Sequence, residues 1–305
     1  MSDSKRARAD EEPLVWGSYT QAELNAQYDQ TTIVKDVPAI NAKLLEDSVR
    51  VRSEKSSRCI IDIPYGPTTL EKLDVFLAAE PNGPVVVFHH GGAWTRSSKE
   101  YHSYLAPAFV SKGINVVVLG FSLAPKVSLD EIVRQNRAGI AWVYANASTH
   151  GWDRSRIHSI GHSSGGHICG MMLVTEWAED YGLPADVIKS AAPCSGIFDL
   201  GPVRLSARNS YLDLTERSAA RNSPIRQIPE ASAKRTIPLT IAWGSGELDE
   251  FQRQCREFAA AWRAAGHPVR TFIRSDVTHF QLARDIFDEE MPVLEGILKN
   301  ILGDF

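Results

Sequence analysis

Short apolar runs alternate with longer helical patterns over most of this chain, and this alternation restricts the fold more than any other feature. Residues 85–88 read Val-Val-Val-Phe, a continuous apolar run typical of a strand covered on both faces. Similar runs follow at residues 114–119, 156–160, 189–193, 237–243 and 269–273. Helical patterns separate them at residues 101–112, 128–145, 165–180, 250–265 and 281–301. This order predicts an α/β fold with a mostly parallel central sheet flanked by helices.

An edge hairpin and an N-terminal arm are predicted ahead of the parallel sheet. Residues 58–64 and 72–79 are expected to pair as antiparallel strands, because the second run alternates apolar with polar side chains after a Gly-Pro turn. Residues 1–50 form the arm, with disorder expected over residues 1–12 and a capped helix over residues 20–28.

The chain of 305 residues is long enough for one large domain or two small ones. Because no low-complexity linker divides it, we expect a single domain over residues 1–305. Residues 194–235, which we call the cap segment, are too long for an ordinary connection between two elements of such a fold. We expect this segment to form a small cap over the C-terminal edge of the sheet, where such folds bind ligands. The alternative is a surface loop that has no part in ligand binding.

Composition excludes several classes of function. The net charge of -4 has no basic excess, so nucleic acid is not an expected partner. No apolar stretch approaches the roughly 18 residues of a membrane span, and the N-terminus has no apolar signal-peptide core, so no membrane association is expected. The cysteines form no CxxC pair, which argues against a zinc site or a disulfide framework: Cys59, Cys169, Cys194 and Cys255. We therefore expect a cytoplasmic protein without a metal.

A GxSxG pentapeptide at Gly161-His162-Ser163-Ser164-Gly165 stands between a predicted strand and a predicted helix. In that setting the central serine occupies a strained strand-to-helix turn that lifts its hydroxyl clear of the backbone. Ser163 is therefore the candidate nucleophile. The pentapeptide alone is a weak signal, because glycine and serine are common, so a base, an acid and an oxyanion hole are needed to support it.

A candidate oxyanion loop directly follows the strand at residues 85–88 and reads His89-His90-Gly91-Gly92-Ala93-Trp94. Glycines at the end of a buried strand allow backbone N–H groups to turn toward a developing negative charge. We expect the amides of Gly92 and Ala93 to act as donors, Gly91 to ease the turn, and the amide of Ser164 to complete the oxyanion hole.

The candidate base is His279, which follows the last predicted strand and precedes the last helix. This position completes the chain order serine, acid, histidine. The acid should lie on the turn after the preceding strand, where Glu247 and Asp249 both qualify. Asp249 is also suited to capping the helix that begins near residue 250, so Glu247 is the preferred acid and Asp249 the alternative.

These motifs resemble those of the arylformamidase (kynurenine formamidase) group of α/β-hydrolases. Two further stretches carry the resemblance: Ser195-Gly196-Ile197-Phe198-Asp199-Leu200 and Glu250-Phe251-Gln252-Arg253-Gln254. The resemblance implies an α/β-hydrolase fold, a HGGxW oxyanion loop, a serine-acid-histidine triad and no metal, and it places the acid at Glu247. Two departures stand out: the group usually has aspartate as the acid, and alanine more often follows the nucleophile. We expect the extra hydroxyl of Ser164 to reach a polar substrate atom.

The expected activity is that of a metal-independent serine hydrolase that cleaves a small amide or ester through an acyl-enzyme, without a cofactor. N-formyl or other N-acyl aryl amides are the preferred substrates, in an aromatic pocket shaped by His90, Trp94, His162 and Tyr211. A broad carboxylesterase or lactonase is the alternative, and a non-catalytic relative that binds a small molecule is the alternative from another class. The resemblance also implies a homodimer as one state of the protein.

Overall fold

An eight-stranded sheet runs through the computed structural model, which describes residues 12–54 and 58–303. The strands are β1 (Cys59–Pro64), β2 (Lys72–Phe76), β3 (Gly83–His89), β4 (Asn115–Leu119), β5 (Trp152–His162), β6 (Ile188–Cys194), β7 (Leu239–Gly244) and β8 (Val269–Arg274). They lie in the order β1-β2-β4-β3-β5-β6-β7-β8. β1 and β2 are antiparallel to their neighbours, and all the other pairs are parallel. The predicted α/β class, mostly parallel sheet and antiparallel edge hairpin are confirmed.

The central strands are buried because helices cover both faces of the sheet. In β3, Val85 and Val87 belong to one hydrophobic cluster while Val86 and Phe88 belong to the other, as the two-residue period of a strand requires. All four side chains are at most 1% exposed. Complete burial of each is worth about 1.5–3 kcal/mol, so this strand is fixed at the centre of the molecule.

The α-helices within the described residues are α1 (Gln21–Gln27), α2 (Val37–Ser53), α3 (Ala106–Val110), α4 (Leu129–Ala145), α5 (Ala147–His150), α6 (Ser164–Leu173), α7 (Trp177–Tyr181), α8 (Gly201–Leu205), α9 (Asn209–Leu212), α10 (Glu216–Arg221), α11 (Asp249–Ala264), α12 (His279–Asp285) and α13 (Pro292–Leu302). Short 3₁₀ turns occupy Gln30–Thr32, Lys99–Tyr101, Ser103–Leu105 and Pro224–Arg226. No helix of the described part of the chain is long and apolar enough to cross a membrane.

Three helix predictions are wrong in extent. The patterns at residues 165–180 and 281–301 each divide into two helices, and residues 101–112 form two 3₁₀ turns and the short α3. Pro292 explains the start of α13, because a proline inside a continuous helix would remove a backbone hydrogen bond and clash with the preceding turn. α2 is a helix that we did not predict; its buried residues include the polar Asp47 and Ser48, so its apolar periodicity is weak.

The N-terminal arm packs on the part of the sheet that carries the site. α1 has the predicted capping box, in which Thr20 and Glu23 satisfy each other's backbone N–H groups. Tyr28, at the end of α1, donates its hydroxyl to Glu250 Oε2 over 2.9 Å and so attaches the arm to α11. The predicted disorder of residues 1–12 lies outside the described residues except at Glu12.

The parallel topology places the candidate residues at one edge. β3, β5, β7 and β8 are parallel members of the same sheet, so their carboxyl ends point the same way. The segments that follow them carry the oxyanion loop, Ser163, Glu247 and His279 in turn.

Candidate active site

The turn between β5 and α6 holds Ser163 in a strained conformation. Its φ of 62° and ψ of -127° lie outside the regions that residues with a side chain usually adopt, at a cost of about 1–3 kcal/mol. Close packing enforces the turn: a Cβ atom on Gly165 would lie 2.0 Å from the carbonyl oxygen of His89. Glycine is therefore required there if the elbow is to approach β3.

Ser163, His279 and Glu247 form a continuous chain of hydrogen bonds. The hydroxyl of Ser163 donates to His279 Nε2 over 2.8 Å, and His279 Nδ1 lies 2.7 Å from Glu247 Oε2. Because an ionised carboxylate only accepts hydrogen bonds, the neutral imidazole carries its proton on Nδ1 and leaves Nε2 free to accept. This arrangement can remove a proton from Ser163 and then stabilise the imidazolium that forms.

The other oxygen of Glu247 is held by two donors. Ser195 donates its hydroxyl to Oε1 over 2.5 Å, and the backbone N–H of Gly244 donates over 2.8 Å. The Glu247 side chain is fully buried, and Ser195 is also buried with a φ of 43°. The contact between Ser195 and the acid was not predicted from the sequence; the Ser-Gly pair at residues 195–196, directly after β6, was the available signal.

Asp249, the alternative acid, is exposed and occupies the first residue of α11. Leu248 is the N-cap residue, so the expectation that Asp249 caps this helix is wrong. The carboxylate that contacts His279 belongs to Glu247.

The loop after β3 turns through three consecutive residues with positive φ: Gly92 at 111°, Ala93 at 54° and Trp94 at 61°. A Cβ atom on Gly92 would lie 2.1 Å from the carbonyl oxygen of Arg96, so no side chain fits at this position. Among the turns, loops and helix caps of residues 12–54 and 58–303, no backbone carbonyl accepts a hydrogen bond from the N–H groups of Gly92, Ala93 or Ser164. Gly91 lies against the elbow, since its own Cβ would be 2.8 Å from the carbonyl oxygen of His162.

The hydroxyl of Ser164 does not face a substrate, contrary to our expectation. Ser164 is 1% exposed, and its Oγ accepts a hydrogen bond from the backbone N–H of Trp94 over 3.2 Å. This contact connects the nucleophile elbow to the oxyanion loop.

Trp94 and His90 also lie outside the wall of the cavity, so their expected place in the substrate pocket is wrong. The Trp94 indole is buried and donates to His167 Nδ1 over 3.2 Å, which ties the loop to α6. His90 stacks on Phe121 with ring centroids 4.1 Å apart and donates from Nδ1 to the carbonyl oxygen of Gly91. Both side chains are buried behind the loop; Trp94 belongs to the left-handed turn, whereas His90 precedes it.

A cavity of about 770 Å³ opens above Ser163 and His279. The arm forms one wall, the oxyanion loop and the following turns form a second, and the cap segment contributes Ala207, Arg208 and Tyr211. Its size is within the range that small-molecule sites commonly have. Tyr211 and His162 line it as expected, and the cap segment borders the site rather than forming a separate surface excursion.

His162 packs against the histidine of the hydrogen-bonded chain, with ring centroids 4.6 Å apart. Burial, followed by the neighbouring His279 and His102 rings, holds the pKa of His162 well below its usual range. His162 therefore remains neutral beside His279 at neutral pH. In the described ranges, no group of three or more His, Cys, Asp or Glu side chains is arranged to hold a metal ion.

Comparisons with known proteins extend this description. The family model described as BD-FAE matches residues 73–192. A kynurenine formamidase from Danio rerio is 32% identical over 94% of this chain and 98% of its own length. The esterase LipQ from Mycobacterium tuberculosis is 32% identical over 80% of this chain and 61% of its own length. Among solved structures, an esterase from Pyrobaculum calidifontis has a TM-score of 0.68 at 20% identity and covers 95% of this chain and 99% of its own.

Proposed function

Because this chain belongs to the kynurenine formamidase family of α/β-hydrolases, we propose that it cleaves small N-formyl or N-acyl aryl amides. Its wider class is that of the hydrolases of amide or ester bonds. The observation that carries the proposal is the hydrogen-bonded chain of Ser163, His279 and Glu247 beside an oxyanion loop. The similarity to the kynurenine formamidase from Danio rerio supports a formamide as the preferred substrate.

In the first step, Ser163 Oγ attacks the carbonyl carbon while its proton passes to His279 Nε2. Glu247 holds the imidazole in the required orientation and stabilises its charged form. The amides of Gly92, Ala93 and Ser164 receive the negative charge that develops on the carbonyl oxygen. Each such donor is worth about 2.7–4 kcal/mol of the activation barrier.

His279 then returns the proton to the leaving amine, and the acyl group remains on Ser163. In the second half of the reaction, His279 takes a proton from a water molecule that attacks the acyl-enzyme. The acid is released and Ser163 recovers its proton. No cofactor takes part in these steps.

Initial rates on N-formylkynurenine, p-nitrophenyl acetate and a panel of aryl amides test the proposed substrate. We expect kcat/KM for the formamide to exceed that for the uncharged aryl amides, and Ser163→Ala to abolish turnover of all of them. Fast ester hydrolysis with negligible release of formate would contradict the formamidase proposal.

A broad carboxylesterase or lactonase is the second candidate, and the similarity to esterase LipQ favours it. In that case p-nitrophenyl esters or lactones would be the best substrates of the panel. The candidate from another class is a small-molecule-binding relative without catalysis. Its signature would be a biological effect that survives Ser163→Ala, together with no burst of product when the enzyme is mixed with activated esters.

We further propose that the protein is cytoplasmic, that residues 1–305 form a single domain, and that a homodimer is one of its oligomeric states. The four cysteines support the first, because all are free and three are buried, as expected for a reducing compartment. Sedimentation of the purified full chain would test the homodimer.

A further inference from the structure

Arg208 of the cap segment is a cation in the wall of the active-site cavity. Its Nε donates to the carbonyl oxygen of Tyr28 over 2.9 Å, and its Nη2 donates to the same oxygen. Its Nη1 atom is buried and has no hydrogen-bond partner. In the parts of the chain that the structure describes, no carboxylate forms an ion pair with this guanidinium.

Aromatic rings surround the guanidinium instead of acidic side chains. Its central carbon lies 5.6 Å from the Tyr28 ring, 5.8 Å from the Phe251 ring and 6.0 Å from the Trp94 ring. Ring faces attract a cation, but they do not accept the hydrogen bonds of Nη1. Burial lowers the pKa of Arg208, yet an arginine side chain stays protonated in proteins. The cavity wall therefore holds a positive charge with donors that the protein leaves unused.

The charges around the opening have the same sign on balance. Arg96, two residues after the oxyanion loop, lines the cavity and is exposed, whereas Asp29 is the carboxylate that the arm contributes to the wall. Asp29 already accepts hydrogen bonds from the backbone N–H and the hydroxyl of Thr31. An anionic ligand that enters here therefore meets two guanidinium groups and one carboxylate, and that carboxylate already accepts hydrogen bonds from Thr31.

The position of Arg208 relative to the reacting groups limits the length of such a ligand. The Phe251 ring contacts both residues: its centroid lies 5.8 Å from the guanidinium carbon of Arg208 and 4.8 Å from the imidazole centroid of His279. The guanidinium and the proposed base are thus neighbours of the same aromatic ring.

We propose that Arg208 is a specificity-determining residue that binds a carboxylate of the substrate, so that the preferred substrates are acyl amides in which a short spacer separates a carboxylate from the scissile bond. This inference rests on the proposed hydrolysis of aryl amides. A carboxylate that accepts two hydrogen bonds from a guanidinium is among the stronger polar partners in proteins. We expect this contact to raise kcat/KM about tenfold to a hundredfold over an uncharged analogue.

The test uses 3-(2-formamidophenyl)propanoate and the uncharged N,N-dimethylamide of the same acid, with released formate as the readout. The unmodified enzyme should prefer the acid by at least about tenfold in kcat/KM, and Arg208→Gln should bring the ratio close to one. Arg217→Gln is the matched control, because Arg217 is exposed on α10 of the same cap segment and does not line the cavity. It should preserve the ratio. Equal rates on the two compounds, or an unchanged ratio in Arg208→Gln, would overturn the proposal.

A binding measurement separates this proposal from the proposed catalysis. In the Ser163→Ala background, 3-phenylpropanoate should bind at least about tenfold more tightly than 3-phenylpropanamide, and adding Arg208→Gln should remove the difference. If neither formamide is hydrolysed but this difference holds, the proposed activity fails and the carboxylate site stands. If both are hydrolysed and the acid binds no better than the amide, the carboxylate site fails alone.

Arg208 also holds the arm through Tyr28, so folding of the variant needs its own check. Arg208→Lys keeps the positive charge but not the paired donors, and it should retain part of the preference for the acid. If Arg208→Gln does not fold, the substrate preferences of the unmodified enzyme and of Arg208→Lys decide the question. A lysine variant with no loss of preference would show that the paired guanidinium donors are not used.

Discussion

Replacing Ser195 by alanine removes one of the two hydrogen-bond donors that hold Glu247 Oε1, and leaves the N–H of Gly244 as the other. A hydrogen bond to a charged group contributes about 1.5–3 kcal/mol. Water cannot readily replace it, because the Glu247 side chain is fully buried. Alanine is the suitable substitution, since it keeps a Cβ atom at a position whose φ is 43° and leaves the backbone strain in place.

The kinetic effect follows from the orientation of the carboxylate. Without Ser195 the carboxylate is freer to turn away from His279, so we expect kcat/KM to fall about tenfold to a hundredfold, the rate equivalent of the lost hydrogen bond. KM should change less than kcat, because Ser195 does not line the cavity.

The assay is hydrolysis of p-nitrophenyl acetate and N-formylkynurenine at about pH 7.5, with kcat and KM determined separately and melting temperatures measured in parallel. Ser223→Ala is the matched control. Ser223 is also buried in the cap segment, and its hydroxyl bonds to the backbone of Leu200 and Ala219 rather than to Glu247. The control should lower the melting temperature without a comparable fall in kcat. An unchanged kcat/KM in Ser195→Ala would contradict the prediction.

Three further predictions follow from the same structure. Glu247→Gln should lower kcat about 10⁴-fold, whereas Asp249→Asn should change it less than about twofold in steady-state assays; the reverse order would transfer the acid role to Asp249. Ser164→Ala leaves the N–H of Trp94 without its acceptor and should lower kcat about tenfold with little change in KM. The pKa of three fully buried imidazoles is held near 4 by burial: His89, His90 and His167. The unfolded chain therefore binds more protons below pH 6.5, so the free energy of unfolding should decrease from pH 6.5 toward pH 4, by about 2 kcal/mol per imidazole at pH 5. Urea unfolding at pH 7.5 and pH 5 measures this loss, and equal midpoints would contradict it.

Features that depend on neighbours along the chain were predictable from the sequence. Continuous apolar runs identified the buried strands, because a strand covered on both faces has no polar side. The GxSxG turn was identified from its sequence between a strand and a helix, and His279 from its position after the last strand. Both lie at strand ends, and a parallel sheet brings successive strand ends to one edge. The extents of the helices were less predictable; the breaks after Leu173 and before Pro292 depend on local caps and packing.

The directions of side chains across the fold required the tertiary structure. Trp94 and His90 belong to the same loop as the expected oxyanion donors, but both side chains are buried in the core. Ser195 and Arg208 reach the site from distant parts of the chain. The Ser-Gly pair directly after β6 shows that Ser195 lies at a strand end, but not that its hydroxyl contacts Glu247, and no local pattern shows that the Arg208 guanidinium lacks a carboxylate. The sequence by itself determined which segments form the buried strands and which functional groups follow the end of each strand. The tertiary structure decided which of those groups face the substrate, because that depends on contacts between residues that are far apart in the chain.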